Sequence, residues 1–312
     1  MNLKKPKFWD YKKPNLISNL LFPLSQLVEF KLNWTKTKGI KLDGIKTICV
    51  GNIYLGGTGK TSISLEIKNI LDELDIRSCF IRKKYSNQID EQKLLEQAGE
   101  TFINESRITS LKNAVSKNYE VAIFDDGLQD KSISYDLSFV CFNKINFIGN
   151  GRVIPSGPLR EPLVNLKKYE NVFFNGNDKD NKNLEEIFIQ KYSNLNFFNS
   201  QYKIINLNKF NLNENYVVFS GIGNHQTFIE MLEKNKFKIV KNFEFSDHYN
   251  FNKKDLEKIK KISTQFEAKI LTTEKDYLRI DEQLRLDIEF IKINLNIFQK
   301  EKLKKKLIDL MK

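Results

Sequence analysis

Val50-Gly51-Asn52-Ile53-Tyr54-Leu55-Gly56-Gly57-Thr58-Gly59-Lys60-Thr61 lies between two apolar patterns of different period. Before it runs Thr47-Ile48-Cys49-Val50; after it come Ile63, Ile67, Ile70, Leu71 and Leu74, one stripe of an amphipathic helix. Strand, glycine turn and helix together are the setting of a phosphate-binding loop. Glycines let the backbone curl so that successive N–H groups face one anion. The helix start adds unpaired N–H groups and the positive end of its dipole. Gly56, Gly57, Thr58 and Gly59 are thus the expected cradle for a nucleotide triphosphate, with Lys60 reaching the outer phosphates and the Thr61 hydroxyl sitting on Mg²⁺. Tyr54 stands where the usual pattern has its first glycine. A glycine-rich turn that binds nothing is the bland alternative, and Gly-Thr-Gly-Lys-Thr in this context argues against it.

The chain has 312 residues, enough for two domains, and its 51 basic and 39 acidic residues give a net charge of +12. That sign favours nucleic acid, anionic lipid or a phosphorylated substrate. A Lys-, Asn- and Ile-rich chain is also what an AT-rich genome encodes, so the total charge separates these little. Cys49, Cys79 and Cys141 all fall in apolar, strand-like runs and read as small buried hydrophobes in a reducing compartment. With only His225 and His248, a multi-histidine metal cluster is excluded.

Residues 1–36 carry Lys4, Lys5, Lys7, Lys12 and Lys13 ahead of an apolar segment interrupted by Ser18, Asn19, Pro23, Ser25 and Gln26. A spanning helix needs roughly 18 or more mostly apolar residues, so this segment is too broken to cross a bilayer. It also lacks a small-residue cleavage site. Ile17, Leu20, Leu21, Leu24, Leu27 and Val28 share one helical face, with Trp9 and Trp34 at either end. The pattern fits a helix lying in a membrane surface, and equally a helix packed on the core.

Further on, Ser78–Ile81 reads as a strand leading to Asp90-Glu91, which on their own read as solvated charges at a helix start. The strand Val121–Phe124 ends in Asp125-Asp126. Paired carboxylates at a strand tip repel without a cation, and phosphate-loop enzymes use such residues to hold Mg²⁺. Phe147 to Pro162 is an ordered, non-helical segment in which Arg152 and Arg160 can reach phosphate oxygens. An Asn-rich, charged stretch over 176–200 marks the clearest composition shift, and a second αβ alternation follows. The expected architecture is α/β. A P-loop NTPase-like, mostly parallel sheet flanked by helices occupies 37–200, a smaller α/β domain occupies 201–312, and residues 1–36 form an amphipathic membrane-surface helix.

Several stretches in this order resemble the tetraacyldisaccharide 4′-kinases of lipid A biosynthesis. They are Val50–Thr61, Asp90-Glu91, Asp125–Gln129, Gly157-Pro158-Leu159-Arg160-Glu161-Pro162, Gly221-Ile222-Gly223-Asn224, Asp247-His248 and Thr272-Thr273-Glu274-Lys275-Asp276. The resemblance covers most of the chain. It implies transfer of the ATP γ-phosphoryl group to the 4′-hydroxyl of a tetraacyldisaccharide 1-phosphate, with Mg²⁺, at the cytoplasmic face of a bacterial inner membrane. It also implies two α/β domains that close over the nucleotide and are joined by a short β linker. By the resemblance Asp90 is the base, paired with His248. Lys60 holds phosphate, and Thr61, Asp125 and Asp126 serve the metal, with Glu161 a further candidate. The chain departs from the family where Arg82-Lys83-Lys84-Tyr85-Ser86-Asn87 lacks two glycines, and where Asp130 replaces a histidine.

Two other classes share some of these features. A nucleotide-switched, membrane-binding ATPase has a similar loop, but with lysine where this chain has Leu55. A soluble small-metabolite kinase has no reason for residues 15–32 to partition into lipid. Nucleic-acid binding rests on charge alone, so no nucleic-acid partner is expected.

Overall fold

The computed structural model describes residues 5–34, 39–85, 89–176 and 182–312. Lys4, the Ser86-Asn87-Gln88 part of the divergent loop and residues 177–181 of the Asn-rich stretch lie outside the described residues. The chain divides into two compact units. The larger comprises Leu3–Lys84, Ala98–Gln201 and Ile297–Lys312, and the smaller includes Tyr85–Gln97 and Tyr202–Asn296.

In chain order the elements are α1 (Leu16–Trp34), β1 (Lys46–Gly51), α2 (Lys60–Glu73), β2 (Ser78–Lys83), α3 (Ile89–Ala98), β3 (Thr101–Asn104), α4 (Arg107–Ser116), β4 (Val121–Asp125), β5 (Leu137–Asn143), β6 (Asn171–Asn175), α5 (Lys182–Lys191) and β7 (Asn196–Ile204). Then follow β8 (Asn215–Ser220), α6 (His225–Lys234), β9 (Lys238–Glu244), α7 (Lys253–Gln265), β10 (Ala268–Thr273), α8 (Glu274–Arg279), β11 (Ile288–Ile291), β12 (Ile293–Ile297) and α9 (Lys300–Met311).

The larger unit is built on a sheet in the order β12-β7-β6-β5-β1-β4-β2-β3, with β7 and β12 carrying the chain between units. β1 lies between β4 and β5, parallel to both, with Val50 in register with Asp125 on one side and Phe139 on the other. Ile48, Cys49 and Val50 on β1 and Val121 to Phe124 on β4 are wholly buried. A parallel sheet covered on both faces needs unbroken apolar strands of this kind. The chain runs from β1 to β2 and β3 on one side and later to β5 and β6 on the other, so strand order reverses beside β1. Open α/β sheets hold their ligands at the carboxyl ends of strands at such a point. α2 buries Ile63, Ile67, Ile70 and Leu71 of the stripe predicted from spacing, while Leu74, its last position, is the half-buried C-cap. Strands β5 and β6 add an aromatic core, Phe142 and Phe174 packing with Phe147 and Phe188.

α1 is amphipathic, and it is turned over. Ser18 and Ser25 are fully buried, whereas Leu16, Leu20, Leu27 and Trp34 are 65–81% exposed. The serines, one heptad apart, dock on the 150–156 loop. Ser18 Oγ donates to the Ser156 carbonyl at 2.6 Å, Ser25 Oγ donates to the Val153 carbonyl at 2.7 Å, and Asn150 Nδ2 donates to Ser18 Oγ at 3.1 Å. Val28 alone of the predicted apolar face packs with the small cluster of Tyr54, Val153 and Leu159. The core-packed alternative is therefore not what the chain adopts. Among the described residues no helix is long and apolar enough to cross a membrane.

The smaller unit has a sheet in the order β11-β10-β8-β9, parallel throughout. β8 is again the strand at which order reverses. Its alternating residues feed both faces: Tyr216 and Val218 pack with Phe228 and Leu232 of α6, and Val217 and Phe219 with Leu256 and Ile259 of α7. α3, up to Gln97, belongs to this unit although it lies in the first third of the chain.

Candidate active site

The phosphate-type loop leaves β1 and ends at Gly59, the N-cap of α2, with φ +85°. Gly56 also has positive φ, at +144°. Both conformations are open to glycine and strained for other residues. Asn52 ties the loop internally: its Nδ2 donates to the Tyr54 carbonyl at 2.6 Å and to the Gly56 carbonyl at 3.1 Å. The Gly157–Pro162 segment braces it from outside. Leu55 N–H donates to Pro158 at 2.8 Å, and Arg160 N–H donates to Ile53 at 2.7 Å. Asn175 Nδ2 at the end of β6 donates to the Thr58 carbonyl. Tyr54, in the usual glycine position, is buried and donates its hydroxyl to the Asp10 carboxylate, which Lys5 also meets at 2.8 Å. Gly51 is required by packing, because a Cβ there would come within 2.6 Å of Leu128 in the Asp-Asp-Gly-Leu-Gln run.

That run places the two carboxylates beside the loop. Asp125, fully buried at the end of β4, is ion-paired with Arg82 from β2. Thr61 Oγ1 lies 3.4 Å from Asp125 Oδ2, and Ser64 Oγ lies 3.4 Å from Oδ1. Asp126 adopts φ +59°, and Arg107 donates to its carbonyl at 2.7 Å. Its carboxylate accepts from Arg160 at 2.9 Å and lies 3.9 Å from Lys60 Nζ. Burial opposes ionisation of Asp126, but Lys60 and Arg160 outweigh it and hold the carboxyl below the usual range. The residues fit a magnesium ion. Thr61 and Asp125 offer adjacent, buried, hard oxygen donors, and Mg²⁺ takes one or two such groups plus phosphates and waters rather than an all-protein cage. Among the described residues no cluster of three or more ligating side chains forms such a cage. Glu161 is nearby in sequence to Arg160, and its oxygens accept from Asn165 at 3.0 Å, Tyr169 at 2.9 Å and Gln129 at 3.4 Å.

The smaller unit brings Asp90 and His248 together from positions 158 residues apart. Asp90 sits in the first turn of α3, 1% exposed. Its Oδ1 is 3.2 Å from His248 Nδ1, and its Oδ2 accepts from Arg279 at 2.8 Å. Burial would raise the Asp90 pKa, but hydrogen bonds from His248 and Arg279 more than reverse this and keep the carboxyl well below its ordinary value. His248 has φ +55°, with its N–H donating to the Gly221 carbonyl at 3.0 Å. The neighbouring Glu91 accepts from Lys275 at 2.8 Å. Burial disfavours charge on Lys275, yet Glu91 and Asp90 raise its pKa overall.

Arg82, Arg107 and Arg279 are the residues that sequence reasoning did not assign. Arg107 joins Asp126 to Asp130, which accepts its Nη1 at 3.1 Å where the family usually has histidine. An arginine paired across 23 or 189 residues has no local signature. For Arg279 the one available signal is its place three residues after Asp276 in a motif of charged residues.

Comparison with known proteins bears on this arrangement. The family model for tetraacyldisaccharide-1-P 4′-kinase matches residues 17–312. The chain is 51% identical over 310 residues to the tetraacyldisaccharide 4′-kinase of Pelagibacter ubique strain HTCC1062, covering 99% of each. It is 31% identical to the enzyme of that name from Rickettsia bellii, covering 98% of this chain and 99% of that one. Among solved structures, the "apo" form of LpxK from Aquifex aeolicus in complex with ATP aligns with a TM-score of 0.71 at 22% identity, over 95% of this chain and 100% of that one.

Proposed function

The chain belongs to the tetraacyldisaccharide-1-P 4′-kinase family and is a kinase acting on the 4′-hydroxyl of tetraacyldisaccharide 1-phosphate in lipid A biosynthesis, and we propose how its residues divide that work. The amides from Gly56 to Thr61 and the Lys60 ammonium hold the phosphates of ATP, the nucleotide present in the Aquifex aeolicus structure. Thr61 and Asp125, with Asp126 alongside, hold Mg²⁺. When bound, that ion neutralises charge on the transferring phosphoryl group. Glu161 is a further proposed metal-side residue acting through its neighbours.

Asp90 and His248 act as one unit that takes up the proton of the 4′-hydroxyl. Asp90 stays ionised, with Nδ1 of His248 against its carboxylate, and the His248 side chain is 19% exposed. Arg160 and Lys60 set the charge balance at Asp126 so that an incoming polyphosphate meets two cations already in place. The exposed apolar side of α1 is the surface that meets lipid, at the cytoplasmic face of the bacterial inner membrane. An acceptor with four acyl chains gives a reason for such a face that a soluble acceptor does not.

The observation that carries the reading is the loop itself: two positive-φ glycines around Gly-Thr-Gly-Lys-Thr at the reversal point of a parallel sheet. The deciding experiment is thin-layer detection of labelled phosphate passing from ATP to the disaccharide 1-phosphate. ATP hydrolysis in the presence of acceptor without any labelled lipid product would support the membrane-ATPase reading instead.

A further inference from the structure

We infer that Arg279 is the positioning residue that holds the Asp90–His248 pair in its working geometry, an inference that rests on the proton-accepting role proposed for that pair. Arg279 ends α8 and its side chain is 4% exposed. One arm of the guanidinium, Nη2, donates to Asp90 Oδ2 at 2.8 Å. The other, Nη1, donates to the Gly221 carbonyl at 2.6 Å and to Asp276 Oδ1 at 2.9 Å. Gly221 N–H donates to the same Asp276 oxygen at 3.0 Å. The Gly221 carbonyl also accepts the backbone N–H of His248, at 3.0 Å. One planar group thus fixes the carboxylate of Asp90 and, through Gly221, the strained backbone of His248. Lysine has no fork that can do both at once.

The same geometry sets the imidazole. Arg279 Nη2 is 3.3 Å from His248 Nδ1, and Asp90 Oδ1 is 3.2 Å from it. A guanidinium only donates. Nδ1 cannot accept from Arg279 and donate to Asp90 at once. The ionised carboxylate, which only accepts, is met by a donating Nδ1, and Nη2 already has its acceptor in Asp90 Oδ2. The ring's remaining acceptor is then Nε2. Other charges facing the pair are Lys275 and Glu91, joined at 2.8 Å, and Asp247, whose Oδ1 is 3.9 Å from Nε2. Asp276 is committed to Arg279, Thr273 and Gly221. Besides His248 itself, Arg279 is the only one of these charged groups, among the described residues, with hydrogen bonds to both Asp90 and the Gly221 turn.

The test uses the full-length enzyme with Arg279→Met, Arg279→Lys, Asp90→Asn and the Met/Asn double variant. Arg279→Met is expected to lower kcat roughly 10–100-fold, as loss of a supporting partner does at other sites, with KM for ATP within about twofold. Its pH–rate profile should lose activity at higher pH on the acid side, because Asp90 without the guanidinium binds a proton more readily. Arg279→Lys should keep the acid limb in place through its charge and still lose kcat, because the fork is gone. Asp90→Asn should add little in the Arg279→Met background. The ring ¹⁵N shifts of His248 should move from the Nδ1-protonated pattern towards a tautomer mixture in the Met variant. A folded Arg279→Lys enzyme with wild-type kcat overturns the inference, and does so even where the Met variant fails to fold. Losses fully additive with Asp90→Asn, or an unmoved acid limb in a folded Met variant, overturn it as well. Unchanged turnover in Asp90→Asn alone is a different result: it removes the proposed role of the pair itself.

Discussion

Helix α2 buries Ile63, Ile67, Ile70 and Leu71, while helix α1 exposes Leu16, Leu20, Leu27 and Trp34 and buries Ser18 and Ser25. Both belong to the larger unit, and both are amphipathic on the same 3.6-residue period. The difference lies in what each meets. α2 crosses a sheet face of mostly apolar, wholly buried strand residues, with the polar Asp125 beside its first turns, so its apolar stripe goes inward. α1 meets a loop of glycine, proline and polar backbone from Gly149 to Pro158, whose Val153 and Ser156 carbonyls each accept a serine hydroxyl in addition to a bond from within the loop, where leucines could make none. An apolar stripe therefore reports a burial demand without naming the medium that meets it. For α2 the medium is the core, and for α1 we propose it is lipid.

The largest expected effect lies at the start of α2. Lys60→Ala should lower kcat by on the order of 10²–10³, the cost of losing one preorganised charge at a transition state, with circular dichroism unchanged. Near-normal turnover in that folded variant would sink the phosphate-loop assignment.

Next comes the buried face of α2. Ile67→Ala should lower unfolding free energy by about 2–4 kcal/mol, a large-to-small change at a wholly buried site. Leu20→Ala on α1 should leave it within about 0.5 kcal/mol, as surface changes do. Equal losses from the two in urea unfolding would mean that α1 packs against protein in solution.

Flotation with anionic liposomes sharpens the contrast in the opposite direction. Changing Leu20 and Leu27 to serine should release the protein to the soluble fraction, since each leucine contributes on the order of 1.5–3 kcal/mol when buried. Ile67→Ala should still float. Wild-type protein that stays with the soluble fraction would remove lipid as the medium.

The smallest effect concerns Asp126, which follows β4 and lies beside Lys60 at the start of α2. Its folded pKa is depressed, so its contribution to stability is fully present above the ordinary carboxylate range of about 4 and is lost as pH falls through the lower folded value. Asp126→Asn should flatten the acid side of the stability curve below about pH 4. An unchanged slope would assign that acid sensitivity to other carboxylates.

Local information determined a good deal of this protein. The phosphate loop, the stripe of α2, the strands ending at Val50 and Asp125, the αβ alternation and the amphipathic character of residues 16–34 all follow from neighbouring residues, because helix and strand periods act over a few positions. The ordered motifs also carried the family resemblance. Tertiary structure alone decided the rest. It set which face of α1 points outward, since that depends on Ser18 and Ser25 meeting a loop more than 120 residues away. It joined residues 85–97 to the unit formed by 202–296 and so put Asp90 against His248. It also set the arginine partners: Arg82 for Asp125, Arg160 for Asp126, Arg107 for Asp130, and Arg279 for Asp90. A buried charge must find an opposite charge, but any of many distant residues can supply it, and only the packed chain selects which one.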